Sequence, residues 1–286
     1  YIATANQNVT PEDYDRWDAI GYDWADPYRG DRVNNFLESK DKFNMEDMIN
    51  LQIDYYSVPS KQIIDISKNY ISNNPEYFKK LIEWNNILDK NSIEAGIYIE
   101  WQTQIFYEFM KNHIPKSVQK YIDVQIYKVI EGISKMSDQE KTEFLNKTFD
   151  LTIKSLIKKY GDDSSKWVYG QPNYKHVKIY HPLEKVVNDS IKEIIGLDTY
   201  PRGGDGYTPG STSSELNQRS GGSFRVVINT KEWDNSFATN SPGQSGDPKS
   251  KFYKNLYEDW ANDNFFPLLY SKNKVLMNLS DRKIYK

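Results

Sequence analysis

The most informative segment of this chain reads Asn240-Ser241-Pro242-Gly243-Gln244-Ser245-Gly246-Asp247-Pro248 and is followed by Tyr257-Glu258-Asp259-Trp260. Two glycines, two prolines and three small polar residues predict a rigid, irregular turn, because proline fixes φ and glycine reaches conformations that other residues avoid. The aromatic residues after it predict a helix. A generic surface loop does not require so specific a string, and we therefore interpret it as an architectural turn.

The first residues of the chain form a second informative segment. Tyr1-Ile2-Ala3-Thr4-Ala5 predicts the middle of a β-strand, which ends at Asn6. The later segment Trp24-Ala25-Asp26-Pro27-Tyr28-Arg29 predicts the start of a helix. Because no initiator methionine or signal sequence precedes Tyr1, we expect a processed chain or a piece of a longer one, with any targeting segment out of view.

Both ends of the chain resemble the penicillin acylase family of N-terminal-nucleophile hydrolases. The resemblance is carried by the strand, asparagine and helix start at one end, and by Trp233-Asp234-Asn235-Ser236 and the turn at residues 240–248 at the other. The resemblance extends from Tyr1 to about Val275. In the helical middle, only the general pattern of residues is similar. It implies an α+β chain that forms the later portion of the αββα fold, within the large subunit.

The resemblance also implies an activity, the hydrolysis of an N-acyl amide. In this family, self-cleavage of a precursor exposes a serine that attacks the amide, with its own α-amine as the base. Tyr1 has no aliphatic hydroxyl or thiol, so the nucleophile is expected upstream of it. We therefore expect this chain to be inactive alone and to have as its partner the missing N-terminal part of the same precursor, namely the small subunit and the nucleophile segment.

By the same resemblance, Asn6 and Arg29 are the candidate catalytic residues. The side-chain amide of Asn6 is expected to donate a hydrogen bond to the oxyanion of the tetrahedral intermediate. The residue type alone would favour a local turn. Arg29 is expected to line the same site and to orient the asparagine and the substrate, since a guanidinium presents several donors in a fixed fork. Arg32, three residues on, remains an alternative match, and a surface arginine is the plainer interpretation.

Asp18 falls where some penicillin acylases place a calcium-ligating carboxylate. Calcium takes six to eight oxygen ligands, and the run Asp13, Asp15, Asp18 and Asp23 does not fit an EF-hand. The remaining ligands are therefore expected upstream of Tyr1, and a solvated surface carboxylate is the alternative. We expect no required cofactor, and a structural calcium ion only in the full-length enzyme.

Other chemically suggestive residues are interpreted as structural. His181 lies in Tyr180-His181-Pro182-Leu183, where we expect it to bond a backbone group beside the site. Ser245 is not read as a nucleophile, because Gly243-Gln244-Ser245-Gly246-Asp247 does not fit the G-x-S-x-G elbow. The glycine turn at residues 203–206 lacks the following helix that a phosphate site requires.

The pattern along the chain predicts three regions of one hydrolase domain. Residues 1–28 form a core strand and turn, residues 29–165 are mainly helical, and residues 166–286 are β-rich. Asn44 followed by Asp47 predicts a helix N-terminus, and Gly161 predicts the end of the last long helix. Apolar spacing predicts a helix from Ile122 to Ile133. Strands are predicted at residues 176–180, 224–229, 265–270, 274–277 and 283–285.

The composition excludes several classes of protein. With 37 basic and 40 acidic residues, the net charge of −3 gives no field that would favour nucleic acid or an anionic membrane. The chain has no cysteine, which excludes disulfides, thiolate metal sites and a cysteine nucleophile. This fits an extracytoplasmic protein that avoids thiols, and it fits many cytosolic proteins too. No apolar run approaches the roughly 18 residues that span a bilayer.

Two functional hypotheses remain open at this point. The first is the acylase, acting on a small-molecule N-acyl amide such as a β-lactam antibiotic side chain or an N-acyl homoserine lactone. The second is a non-catalytic helical binding or scaffolding module with a β appendage. The aromatic content of 14% could equally line a surface for a peptide or a sugar. The substrate-binding residues cannot be assigned from this sequence.

Overall fold

The computed structural model describes residues 1–122, 124–171, 176–210, 212–213 and 217–280, apart from the side chain of His176. The helices are α1 (Trp17–Ile20), α2 (Tyr28–Glu38), α3 (Met45–Gln52), α4 (Val58–Ser67), α5 (Pro75–Glu83), α6 (Ile93–His113), α7 (Ile126–Ser134), α8 (Asp138–Tyr160), α9 (Asp189–Ile195), α10 (Tyr257–Ala261) and α11 (Lys272–Met277). The strands are β1 (His176–Val177), β2 (Tyr200–Pro201), β3 (Phe224–Val227), β4 (Phe237–Asn240) and β5 (Phe266–Pro267). A helical part followed by antiparallel strands confirms the predicted α+β class, whereas the three region boundaries stay a prediction.

One helix begins and another ends where the sequence indicated. Asn44 caps α3 in a capping box with Asp47, in which each side chain accepts from the other residue's backbone N–H. The last long helix, α8, ends at Gly161, which has a left-handed φ of 81°. None of the helices in the described part of the chain is long and apolar enough to cross a membrane.

The centre of the hydrophobic core lies between α6 and α8. Trp101 of α6, Phe149 of α8 and Phe78 of α5 meet edge to face, with ring centroids 5.3 to 5.9 Å apart. Such aromatic pairs contribute about 0.5–1.5 kcal/mol each beyond their burial. The Trp101 indole N–H donates to Thr148 Oγ1 at 3.1 Å, so its polar atom is satisfied inside the core.

Helix α2 is held on this core through its first residue. Tyr28 is 4% exposed, and its hydroxyl donates to Gln62 Oε1 of α4 at 2.5 Å. Burial raises the pKa of the Tyr28 hydroxyl, and the charge of Asp26 adds to the effect, so the hydroxyl remains a hydrogen-bond donor. Helix α4 packs in turn against α7, which contacts α6. The start of α2 is therefore fixed relative to the core.

The strands of the C-terminal region form two antiparallel sheets. β3 pairs with β4 in the register Phe224↔Asn240, and β4 pairs with β5 through Phe237↔Pro267. β1 pairs with β2 through Val177↔Tyr200. The strand predicted at residues 265–270 is thus reduced to two residues. Proline lacks a backbone N–H and is tolerated at the edge of a sheet.

Three local predictions were wrong. Tyr1–Ala5 has no regular structure, because a strand needs a hydrogen-bonding neighbour and none of the described residues pairs with it. Ile122 lies outside α7 and is exposed. Residues 272–277 form helix α11 instead of a strand, capped by the Ser271 side chain, which accepts from the Lys274 N–H. The strand predicted at residues 283–285 lies outside the described residues.

The turn after β4 joins the sheet to α10 by close backbone packing. Gly243 lies against the Phe252 and Tyr253 carbonyls, where a Cβ atom would be 2.3 and 2.5 Å from their oxygens. The N–H groups of Gln244 and Ser245 both donate to the Phe252 carbonyl, and the Leu256 N–H donates to the Pro242 carbonyl. These bonds lead directly into the aromatic helix α10, as the sequence predicted.

A cluster of charged and aromatic side chains joins the helical part to the C-terminal part. We call it the Asp263 clasp, because the carboxylate of Asp263 accepts hydrogen bonds from three other side chains of the cluster. The donors are the Tyr55 hydroxyl, Arg202 Nη2 at 2.9 Å and Arg225 Nη1 at 2.7 Å. Both guanidinium groups also lie over the Trp260 ring, 4.9 and 5.3 Å from its centroid.

Candidate active site around Asn6

Asn6 is held in a backbone conformation that few residues adopt. Its φ is 69°, in the left-handed region where asparagine is the best tolerated residue after glycine. The Asn6 carbonyl accepts a hydrogen bond from the Ala25 N–H at 3.0 Å. This bond ties the turn at Asn6 to the segment that leads into α2, so that the side chain of Asn6 faces the first turn of that helix.

Arg29, in the first turn of α2, fixes the orientation of the Asn6 side chain. Arg29 Nη2 donates to Asn6 Oδ1 at 2.9 Å. A guanidinium can only donate, so the amide oxygen must face it and the amide nitrogen must face away. Asn6 is exposed, and its Nδ2 makes no hydrogen bond to the described residues. The side chain therefore presents two N–H donors to the solvent side.

Asp26 and Arg29 lie close enough for the charge of each to affect the pKa of the other. Burial lowers the pKa of the Arg29 guanidinium and the charge of Asp26 opposes that effect. Burial raises the pKa of the Asp26 carboxyl, against the N–H groups of Tyr28 and Tyr127, which both donate to it at 3.3 Å. Arginine stays protonated throughout the accessible pH range. A partly buried cation thus lies behind the Asn6 amide.

Arg32, the alternative match, points elsewhere. Its Nε donates to Asp54 Oδ2 at 2.8 Å, and its guanidinium lies 4.6 Å from the centroid of the Tyr56 ring. Its side chain is therefore committed to a salt bridge and a cation–π contact. Of the two arginines, the structure brings Arg29 to Asn6.

Asp18 does not have the neighbours of a metal ligand within the described part of the chain. It lies in α1, is exposed, and belongs to no group of three or more acidic or histidine side chains placed to hold a metal ion. Calcium takes six to eight oxygens, so these residues by themselves do not fit a calcium site. A calcium site completed by other residues of the full-length enzyme stays a prediction.

His181 and Ser245 have local structural roles. His181 Nδ1 accepts from the Leu183 N–H at 3.1 Å and caps the turn Pro182–Lys185. The backbone bond is as predicted, and the position of His181 beside the site stays a prediction. Ser245 Oγ accepts from the Asp247 N–H at 3.1 Å within its own turn. Gly203, Gly204 and Gly210 pack against the ring of Tyr55, so the glycine turn is also structural.

Sequence reasoning missed a groove lined by the residues that directly follow Asn6 in the chain. It has a volume of about 710 Å³ and lies beside Gln7 and Asn8, with Trp24, Phe109 and Tyr127 among its apolar walls. The walls come from the segment before α2, from α6 and from α7, which are far apart in sequence. Only the tertiary packing brings these side chains together, so no local pattern could have indicated the groove.

Comparisons with known proteins agree with the fold and with the resemblance. A family model described as penicillin amidase matches residues 1–276. Among solved structures, the chain is similar to the thermostable penicillin G acylase from Alcaligenes faecalis, with a TM-score of 0.54 and 12% sequence identity. That similarity covers 99% of this chain and 56% of that chain, so this chain spans about half of its length. At this identity the likeness shows the fold alone. None of the curated proteins compared with the chain matches it.

Proposed function

The chain belongs to the penicillin amidase family, and on that premise we propose that it forms part of an enzyme that hydrolyses N-acyl amides. The observation that supports this most directly is the orientation of Asn6. Its oxygen is occupied by Arg29 Nη2 at 2.9 Å, and its amide N–H₂ group is left exposed. A rigid N–H donor facing outwards is what the developing oxyanion of an acyl-transfer reaction requires.

In the proposed reaction, a serine outside this chain attacks the amide carbonyl. The bond from the serine oxygen to the carbonyl carbon forms while the carbonyl oxygen gains negative charge, and Asn6 Nδ2 donates to that oxygen. The C–N bond then breaks, the amine leaves with the serine proton, and an acyl-enzyme remains. Water hydrolyses this ester and releases the acid. Arg29 acts through Asn6, which it holds in the donating orientation.

The acyl group and the surroundings of the enzyme are also matters of proposal. The groove walled by Trp24, Phe109 and Tyr127 supports an apolar acyl or amine group, as in a β-lactam antibiotic or an N-acyl homoserine lactone. The remainder of the same precursor is the proposed partner, because it would supply the nucleophile. We propose an extracytoplasmic enzyme, for which the absence of cysteine is the only support in this chain.

Replacing Asn6 by alanine in the complete enzyme tests the role of its amide. We expect kcat for a chromogenic phenylacetyl amide to fall by about 100- to 1,000-fold, with KM little changed, because the lost donor acts in the transition state. Asn85→Ala is the matched control, since Asn85 is exposed and, within the described part of the chain, its side chain bonds only the Ile87 N–H. An Asn6→Ala enzyme as active as this control would remove Asn6 from catalysis.

A second experiment tests where the nucleophile lies. We expect the isolated chain to fold and yet not to hydrolyse the same amide, because Tyr1 offers no aliphatic hydroxyl. Intact mass and N-terminal analysis of the natural gene product should show a mature chain that starts with serine upstream of Tyr1. Turnover by the isolated chain would show that the nucleophile has been misplaced.

A further inference from the structure

Gln7 folds back over the turn that presents Asn6. Its side-chain oxygen Oε1 accepts a hydrogen bond from the Ala5 N–H at 2.6 Å. The two bonded groups lie on either side of Asn6 in the chain, so this bond closes a small ring around the left-handed residue. Asn6 itself contributes no side-chain bond to that ring, because its Oδ1 is taken by Arg29. The bond therefore constrains the backbone and leaves the Asn6 amide free to point outwards.

Gly30 provides the space that the Gln7 side chain occupies. A Cβ atom on Gly30 would lie 2.4 Å from Gln7 Cδ, 2.5 Å from Nε2 and 2.8 Å from Oε1. Gly30 is buried in α2 and directly follows Arg29. The carboxamide of Gln7 therefore packs on the same turn of helix that carries the arginine bonded to Asn6.

We propose that Gln7 and Gly30 are positioning residues that hold Asn6 in register with Arg29 during catalysis. The proposal rests on the proposed role of Asn6 as the oxyanion donor. Three contacts then act on one residue: Gln7 closes the turn, Ala25 binds its carbonyl, and Arg29 binds its side chain. Glycine is normally unfavourable inside a helix, and its presence at position 30 is explained by the side chain it accommodates.

Two substitutions disturb the same contact from opposite sides. Gln7→Ala removes the carboxamide, whereas Gly30→Ala keeps it and displaces it from the helix. Alanine is the better helix former, so Gly30→Ala should maintain or raise Tm. We expect each variant of the complete enzyme to lose about tenfold in kcat with KM changed less than about twofold, since misplacing a catalytic group lowers rate more than binding. Gln7→Glu, which retains an acceptor oxygen, should restore most of the lost kcat.

The double variant shows whether the two residues act through one contact. If they do, Gln7→Ala combined with Gly30→Ala should be no slower than the slower single variant. If the two losses in kcat multiply, the proposal is overturned. A wild-type kcat in Gly30→Ala would also overturn it. So would a loss in kcat that parallels a loss in Tm and is not restored by Gln7→Glu. Gln139→Ala, at an exposed position of α8, is the control for a glutamine removed from the surface.

Asn6→Ala separates failure of this proposal from failure of the proposed function. If Asn6→Ala is inactive while Gln7→Ala and Gly30→Ala turn over like the wild type, Asn6 keeps its role and only the positioning is refuted. If Asn6→Ala is fully active, Asn6 is not the oxyanion donor and the positioning is refuted with it, whereas amide hydrolysis itself stands; a wild-type complete enzyme that does not hydrolyse the amide would refute the proposed function.

Discussion

At the scale of single residues, the direction of one amide determines what the site can do. Asparagine offers an oxygen acceptor and a nitrogen donor that are hard to tell apart by shape, and its neighbours decide which one faces the substrate. Because Arg29 has no acceptor, the Asn6 oxygen faces inwards and the two N–H groups face outwards. An arginine at position 29 therefore selects the orientation of the Asn6 amide that can stabilise negative charge.

Exchanging Arg29 for lysine separates this geometric role from the role of charge. Lysine keeps the positive charge but lacks the planar fork, so we expect kcat to fall by about tenfold. Arg29→Met should cost about 100-fold, because both are lost. Arg32→Lys is the matched control: its salt bridge with Asp54 should weaken and Tm fall slightly, with kcat unchanged. Equal effects of the two lysine substitutions on kcat would contradict this assignment.

At the scale of elements, α6 and α8 are joined by ion pairs at the border of the core. Lys159 Nζ lies 2.7 Å from Glu100 Oε2, and Lys147 Nζ lies 2.6 Å from Glu108 Oε2. Burial raises the pKa of the Glu100 carboxyl, but the hydrogen bonds from Lys159 and Ser155 and the charge of Lys159 outweigh it, so the pKa lies below its ordinary value. The folded protein therefore favours the ionised form of Glu100.

This pairing predicts part of the acid sensitivity of the protein. Since the folded-state pKa of Glu100 is lowered from 4.5, its stabilisation is complete above about pH 4.5 and is lost as the pH falls through the folded-state pKa. Glu100→Gln should lower the free energy of unfolding by about 2 kcal/mol at pH 7, because the charge-assisted bonds are lost. Its urea midpoints should also fall less steeply below pH 4.5 than those of the wild type. Parallel curves for the two proteins would exclude Glu100 as a source of the pH dependence.

Short-range signals were sufficient for some elements and not for others. The cap at Asn44 and the stop at Gly161 could be predicted because a few neighbouring residues determine a helix end. The strand predicted at residues 1–5 was wrong, because a strand depends on a partner that its own sequence does not specify. For the site, the resemblance indicated Asn6 and Arg29. The packing of Gln7 against Gly30 and the groove follow from tertiary packing, so no local pattern in the sequence indicates them.

At the scale of the whole molecule, the Asp263 clasp adds a buried side-chain contact to the backbone hydrogen bonds that join the helical part to the C-terminal part, such as those from the Gly204 and Gly210 N–H groups to the Leu88 and Asp54 carbonyls. The side chain of Arg202 is 1% exposed and that of Arg225 is 6% exposed. Burial and the neighbouring charge of Arg202 lower the pKa of the Arg225 guanidinium, against the effect of Asp263. One carboxylate thus compensates two buried cations, so its removal should be costly.

Asp263→Asn should destabilise the protein far more than a surface substitution of the same kind. We expect a loss of about 3–5 kcal/mol, because both buried guanidinium groups lose their counter-charge. Asparagine tolerates the left-handed φ of 60° at this position, so backbone strain does not contribute. Tyr55→Phe should cost about 1 kcal/mol, and Asp189→Asn, whose side chain is 94% exposed, is the control. Equal denaturation midpoints for Asp263→Asn and this control would show that the clasp is not stabilising.

The distance along the chain between Tyr55 and Asp263 has a consequence for biosynthesis. The two residues are 208 positions apart, and a ribosome that adds about 5–20 residues per second takes about 10–40 s to synthesise the segment between them. Helices α4 to α8 emerge within that interval and already contain Phe78, Trp101 and Phe149 of the core. Tyr55 has no carboxylate partner in the clasp until Asp263 has been synthesised. The helical part can therefore fold first, and the clasp closes only after the segment that carries Asp263 has emerged.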